Sequence, residues 1–195
     1  ANHDRVVDGI VAGSEAQSWT IHGTGPSGAP FTASFADRFT SGGDITFEAS
    51  FDLADQVYLL SQVPGVSLES VTVDGAVTTN TATYAVGPMQ QYRNGAWVTL
   101  GKGEPARVKA GRKLILRSVL ASSAGGTRTL PVSFTIPQRA AGQRGYLTLT
   151  GGNEVYTEFP SSPSLPKILA GLDAKVRNDE VQVDLGIFGR GPEIT

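Results

Sequence analysis

His3 and His22 are the only histidines of the 195-residue chain, and cysteine is absent. Imidazole-assisted nucleophilic catalysis needs one of them beside a serine and an acid. Ser and Asp are abundant, so their presence selects nothing, and no Gly-x-Ser-x-Gly elbow occurs. His22 adjoins a glycine loop, where a surface role is expected. His3 lies near a terminus expected to fray. A zinc site would need a third ligand from Asp or Glu, and no spacing supplies one. Gly23-x-Gly25-x-x-Gly28 matches the dinucleotide fingerprint letter for letter. That motif needs a helix N-terminus after its glycines to hold a pyrophosphate. Here Pro30 and an alternating Phe31, Ala33, Phe35 segment follow, so a loop is expected instead. Asp52 and Asp55 stand three apart at an expected helix start, where capping explains them. Asp179 and Glu180 fall in a turn, and no Asp-x-Asp-x-Asp-Gly calcium loop appears. No catalytic residue, metal ligand or cofactor site is therefore expected.

Aromatic side chains are the remaining candidates. Trp97, Tyr92 and Tyr84, with Trp19 further off, could stack on sugar rings if they share an exposed face. Packing is the ordinary role of an aromatic on a strand. Trp97, Tyr92 and Tyr84 are retained as a candidate ligand surface for cell-wall polysaccharide.

The elements that would carry these residues are mostly strands. Leu130, Val132, Phe134 and Ile136 alternate with Pro131, Ser133 and Thr135, a period of two with one apolar and one wet face. Leu147 and Leu149 repeat the pattern against Tyr146, Thr148 and Thr150. Tyr92-Arg93-Asn94-Gly95-Ala96-Trp97 predicts a hairpin, because Asn-Gly suits the positive φ angles of a type I′ turn. That turn sets Tyr92 opposite Trp97. Further strands are expected at Ser18–His22, at Phe31–Phe35, and at Ile45–Phe51 after a turn at Ser41-Gly42-Gly43-Asp44. Val66–Val73, ended by Asp74-Gly75, is another, followed by Thr79–Val86. Val108–Gly111 leads into Leu114–Leu120. Leu53, Val57 and Leu60 predict a short helix capped by Asp52 and ended by Pro64-Gly65. Ser161–Ser164 reads as a linker. Leu165, Ile168, Leu169 and Leu172 predict an amphipathic helix that covers the open side of a sheet, with Ser164 as N-cap and Pro166 in the first turn. Arg177-Asn178-Asp179 turns the chain into a last strand at Val181, Val183 and Leu185, and the Gly189–Thr195 end should fray.

Composition agrees with a β-rich fold. The chain has 24 Gly and 11 Pro, which favours short strands and many turns. Hydrophobic content of 39% with 17% charged residues is globular. A net charge of −2 with scattered Lys and Arg argues against nucleic acid. No apolar run nears the roughly 20 residues that span a bilayer. Without cysteine, disulfides and thiol chemistry are excluded. The expected fold is mainly β. It comprises an N-terminal β-rich segment with one short helix (1–65), an immunoglobulin-like β-sandwich of about seven strands (66–152), and a linker, helix and final strand (153–195).

A family resemblance follows from motif order. Asp4-Arg5 precedes Gly9-Ile10. Later come Ile136-Pro137-x-Arg139-Ala140-Ala141-Gly142 and Leu149-Thr150-Gly151-Gly152. A Leu-rich helix follows, and then Arg177-Asn178-Asp179-Glu180-Val181. Together these span most of the chain, which resembles the C-terminal, non-catalytic region of actinobacterial SpoIVB-type serine peptidase-like proteins. The family's Gly-His element and its Gly-Met-Ser-Gly-Ser-Pro nucleophile motif have no counterpart. Met89 is the only methionine, and Gln90 follows it. The resemblance implies export to the cell envelope or beyond, and no residue inherits a catalytic role. The abrupt Ala-Asn-His-Asp start fits a piece of a longer polypeptide. The expected function is that of a non-catalytic accessory region working with an upstream domain, with polysaccharide binding as the alternative.

Overall fold

A computed structural model describes residues 11–101, 103–155 and 162–188. His3, Asp4-Arg5, Gly9-Ile10, Ser161 and the Gly189–Thr195 tail lie outside the described residues. The fold is mainly β, with 50% strand against 19% helix, in three antiparallel sheets. The chain forms two compact units. One takes residues up to 81 together with 152–181, and the other takes 82–151 with the residues from 182 onward.

In the first unit, β1 (Gly13–Thr24) is the centre of a three-stranded sheet ordered β2-β1-β3. Its partners are β2 (Pro30–Ser41) and β3 (Ser67–Thr78). Alternation places Trp19 and Ile21 of β1 and Ala33 of β2 on an inward face. Two helices cover it, α1 (Ile45–Ser61) and α2 (Leu165–Ala174). Leu60 and Val63 from one side and Ile168 and Leu172 from the other complete this core. The expected cover role of the 165–172 segment is thus observed. Ser164 stands extended before α2, but its side chain makes no capping bond, and Pro166 lies in the first turn.

Two expectations are corrected here. Ile45–Phe51 is helix, not strand, and α1 starts seven residues before Asp52. Asp44 is the N-cap: its Oδ1 accepts the Thr46 N–H at 3.1 Å. Apolar residues at every odd position from 45 to 51 satisfy a period of two. On a helix the same residues divide, with Ile45 and Ala49 inward and Phe47 and Phe51 outward. Second, the strand beginning near Val66 runs to Thr78 and does not stop at Asp74-Gly75. It pairs along β1, with Val73 opposite Trp19. It therefore belongs to the first unit and does not open the expected 66–152 sandwich. The division into 1–65, 66–152 and 153–195 is replaced by one in which long-range pairing returns residues 152–181 to the first unit.

The second unit holds a four-stranded sheet ordered β5-β4-β6-β7. Its strands are β4 (Tyr84–Arg93), β5 (Ala96–Thr99), β6 (Lys113–Ser122) and β7 (Thr127–Thr135). A two-stranded sheet joins β8 (Arg144–Gly151) to β9 (Val181–Phe188). The expected strand at Thr79–Val86 starts only at Tyr84 and continues to Arg93. Leu114 and Leu116 of β6 pack with Val132 and Ile136 at their centre, joined by Leu147 of β8 and Val183 and Leu185 of β9. The predicted alternation along 130–136 holds, since Val132 and Ile136 are buried while Pro131, Ser133 and Thr135 are exposed. Pro131, which has no N–H to donate, sits on edge strand β7. Among the described residues no helix is long and apolar enough to cross a membrane.

Candidate functional site

The hairpin between β4 and β5 forms as its sequence dictates. Asn94 and Gly95 take φ of 48° and 83°, the positive values of a type I′ turn. Tyr92 faces Trp97 in the register, with ring centroids 5.3 Å apart. The Arg117 guanidinium carbon lies 4.3 Å from the Trp97 ring centroid, a cation–π distance. Its Nε donates to Gln90 Oε1 at 2.7 Å, and Gln90 Nε2 donates to Thr99 Oγ1 at 3.3 Å. Four side chains are so ordered on the sheet face that carries Tyr92, with Trp97 lying under Arg117.

Tyr84 is not part of this group. Val86 pairs with Leu120 and Met89 with Ser118, so β4 carries one extra residue there. The bulge reverses the alternation. Tyr84 and Val86 fall on the face of Leu120, whereas Gln90 and Tyr92 fall on the face of Arg117. The Arg128 guanidinium carbon lies 5.2 Å from the Tyr84 ring centroid on that opposite face. The candidate surface thus resolves into Trp97 and Tyr92 on one side and Tyr84 on the other.

Buried polar groups on the core side of the sheet are structural. Gln91 donates from Nε2 to the Arg107 carbonyl at 2.6 Å, and its Oε1 accepts the Arg107 N–H at 3.0 Å. That clamps the 100–112 connection. Arg93 completes the clamp by donating to Gln91 Oε1 at 2.6 Å and pairing with Glu104 at 3.2 Å.

In the first unit, His22 Nδ1 lies 3.1 Å from Thr32 Oγ1 on an exposed strand face. The Gly23–Gly28 fingerprint is the β1–β2 hairpin turn. The Gly25 N–H donates to the Ala29 carbonyl and the Gly28 N–H to the Gly25 carbonyl, each at 2.8 Å. Those donors are turned onto the loop itself instead of toward a phosphate. Asp179 and Glu180 pair with Arg177, at 3.4 and 3.2 Å, and Asp179 also with Arg38 at 3.3 Å. Among the described residues no group of three His, Cys, Asp or Glu side chains could hold a metal ion.

Asp52 does not cap a helix. Its carboxylate contacts the Lys175 ammonium and accepts the Trp19 indole N–H at 3.3 Å. Lys175 also lies 4.6 Å from the Phe35 ring centroid. Burial pushes the Lys175 ammonium below its usual range, and the Asp37 carboxylate works against that shift. Trp19, Phe35, Leu172 and Lys175, with Ser18 and Ser34, are among the residues that line an open groove of about 600 Å³. The ammonium is engaged by Asp52, so it acts as a tether between the segment after α2 and α1. Spacing in the sequence gave no sign of this pair.

Asp37 is buried and accepts the N–H groups of Arg38 and Asn178, each at 2.7 Å. Burial raises its pKa above 3.8. The two N–H groups and the Lys175 charge oppose that effect, and the Asp179 carboxylate adds to it. The native carboxyl then binds its proton more tightly than the unfolded one. Its contribution to stability is full below the unfolded value and declines as pH rises through the native one. Asp37→Asn keeps an acceptor and removes the charge. The variant should gain stability relative to the parent as pH rises from about 4 toward neutrality. Urea unfolding followed at several pH values checks this, and a difference independent of pH would refute it.

One feature escaped the sequence reading because it imitated a strand. Phe47, Phe51 and Tyr58 are 58%, 48% and 64% exposed. They lie on the side of α1 opposite Ile45, Ala49 and Leu60, all fully buried. Phe47 and Phe51 meet edge to face, with centroids 4.6 Å apart. No family model, curated protein or solved structure matches this chain.

Proposed function

We propose that this chain is a non-catalytic accessory region of an exported, peptidase-like bacterial protein, acting by docking instead of by bond chemistry. The observation that carries the proposal is the outward aromatic stripe of α1. A helix that is apolar on two opposite faces is suited to burial on both. The sheet covers only one of them, and exposed apolar patches of this kind mark interaction surfaces. The partner that would cover it is a neighbouring domain of the same polypeptide, following the motif order that resembles SpoIVB-type proteins. Export to the envelope belongs to the same proposal. We read the second unit as an immunoglobulin-like sandwich; its support is the core shared by β6, β7, β8 and β9.

Hydroxyl-radical footprinting tests the docking. Phe47, Phe51 and Tyr58 should oxidise several-fold more slowly in the full translated polypeptide than in this chain alone, while exposed Tyr92 serves as the reference. Equal rates at all three in both samples would overturn the proposal.

A second reading, polysaccharide binding, is favoured by the ordered Tyr92, Trp97 and Arg117 group on a solvent-facing sheet surface.

A further inference from the structure

We propose that the outer face of the β5-β4-β6-β7 sheet binds an anionic polysaccharide, with Arg117 as the group that reads its charge. The proposal rests on the polysaccharide reading and adds the chemical class of ligand. Charge distribution is the first observation. The chain has 18 Asp and Glu residues, yet none lies on any of these four strands. The cations there are Arg93, Lys113, Arg117 and Arg128. Arg93 is taken by Glu104. Arg128 lies on the other face, by its pairing with Leu120. Lys113 and Arg117, four residues apart on β6, share the outer face. Among the described residues neither makes an ion pair.

The second observation is order. Arg117 lies against Trp97 and is held by Gln90 through Nε, which leaves its two terminal amino groups for a ligand. A guanidinium fixed in this way presents a planar fork to a carboxylate or phosphate without losing much freedom. Since Arg117 occupies one face of Trp97, the ring left for a sugar is that of Tyr92, which is 49% exposed. Thr129, Ser133 and Thr135 place hydroxyls on the same face by their β7 register. Two cations amid hydroxyls suit a sparsely charged glycan. A nucleic acid would need a row of cations to follow its phosphates.

Affinity electrophoresis of the whole chain tests this with four polymers: polygalacturonate, polyglycerol phosphate, neutral dextran and oligo(dT). Retardation by polygalacturonate marks a carboxylate source of charge and retardation by polyglycerol phosphate a phosphate source; either is expected. Arg117→Gln should weaken it about 10-fold, and Arg128→Gln, of equal charge change on the opposite face, should leave it within about 2-fold. Equal weakening by both variants would overturn the assignment, as would oligo(dT) bound as tightly as either glycan. Equal retardation by dextran, indifferent to Arg117→Gln, would remove the anionic inference and leave the polysaccharide reading in place. No retardation by any polymer would remove both.

Discussion

Asp52→Ala should destabilise the first unit by about 3–5 kcal/mol, the usual cost of leaving one member of a buried ion pair alone. Exposure decides between this and the small effect of a surface pair. The Lys175 side chain is 17% exposed and that of Asp52 13%, so water can replace the lost partner only in part. The substitution also takes the acceptor from the Trp19 indole N–H, a loss of about 1 kcal/mol on its own. Lys175→Met should cost a similar amount and keep the Trp19 bond. With Asp52→Leu and Lys175→Met together, no unpaired charge stays buried, and most of the loss should be recovered. The two tryptophans make the measurement clean, since Trp19 belongs to the first unit and Trp97 to the second. Urea unfolding read by Trp19 fluorescence in a Trp97→Phe background gives the values. Single-variant losses below about 1 kcal/mol would mean that the pair behaves as a solvated one.

Much of the strand pattern could be read locally, for a physical reason. Wherever one face of a strand is wet and the other dry, alternation records which is which. The 130–136 segment did so, and so did Asn94-Gly95, whose positive φ angles follow from residue type alone. The α1 error has an equally physical origin. Phe47 and Phe51 face outward, so the apolar residues of 45–51 do not trace a single helical face. A side chain exposed for reasons outside the helix corrupts the period used to find it. The strongest candidate docking surface therefore lies in the segment whose helix imitates a strand.

Long-range partners left no local trace. Lys175 meets Asp52 across 123 positions, and Asp37 accepts from Asn178 across 141. Neither spacing resembles a motif. Pairing of β3 with β1 likewise skips β2 and α1, so a strand that looked like the opening of the following domain closes the preceding one. The aromatic surface was half legible. Tyr92 and Trp97 are joined by a two-residue turn, which fixes their pairing. Tyr84 lies on the far side of an irregularity that strand periodicity does not cross. Gly87-Pro88 was the available signal, since Gly and Pro inside a strand pattern often mark a bulge.

That bulge supplies the second large effect. A Cβ on Gly87 would lie 2.2 Å from the Val119 carbonyl oxygen and 3.3 Å from its carbon. The obstacle is backbone in the adjacent strand, so no rotamer change relieves it. β4 and β6 would have to separate where β4 holds its extra residue. Separation would also strain the bond from the Ser118 hydroxyl to the Gly87 carbonyl, 2.9 Å long and made by a fully buried serine. Gly87→Ala should therefore cost the second unit about 3 kcal/mol, at the upper end of overpacking penalties. Gly101→Ala is the matched control: nothing lies within 4 Å of its added Cβ, so a change within about 0.5 kcal/mol is expected. Ser118→Ala should fall between them, near 1 kcal/mol. Urea unfolding read by Trp97 fluorescence in a Trp19→Phe background orders the three. Because the same residue sets which face Tyr84 occupies, Gly87→Ala should also disturb the Arg128–Tyr84 contact more than the Tyr92–Trp97 pair, whose geometry is held by its own turn. Larger chemical-shift changes at Trp97 than at Tyr84 would show that the bulge does not separate the two faces.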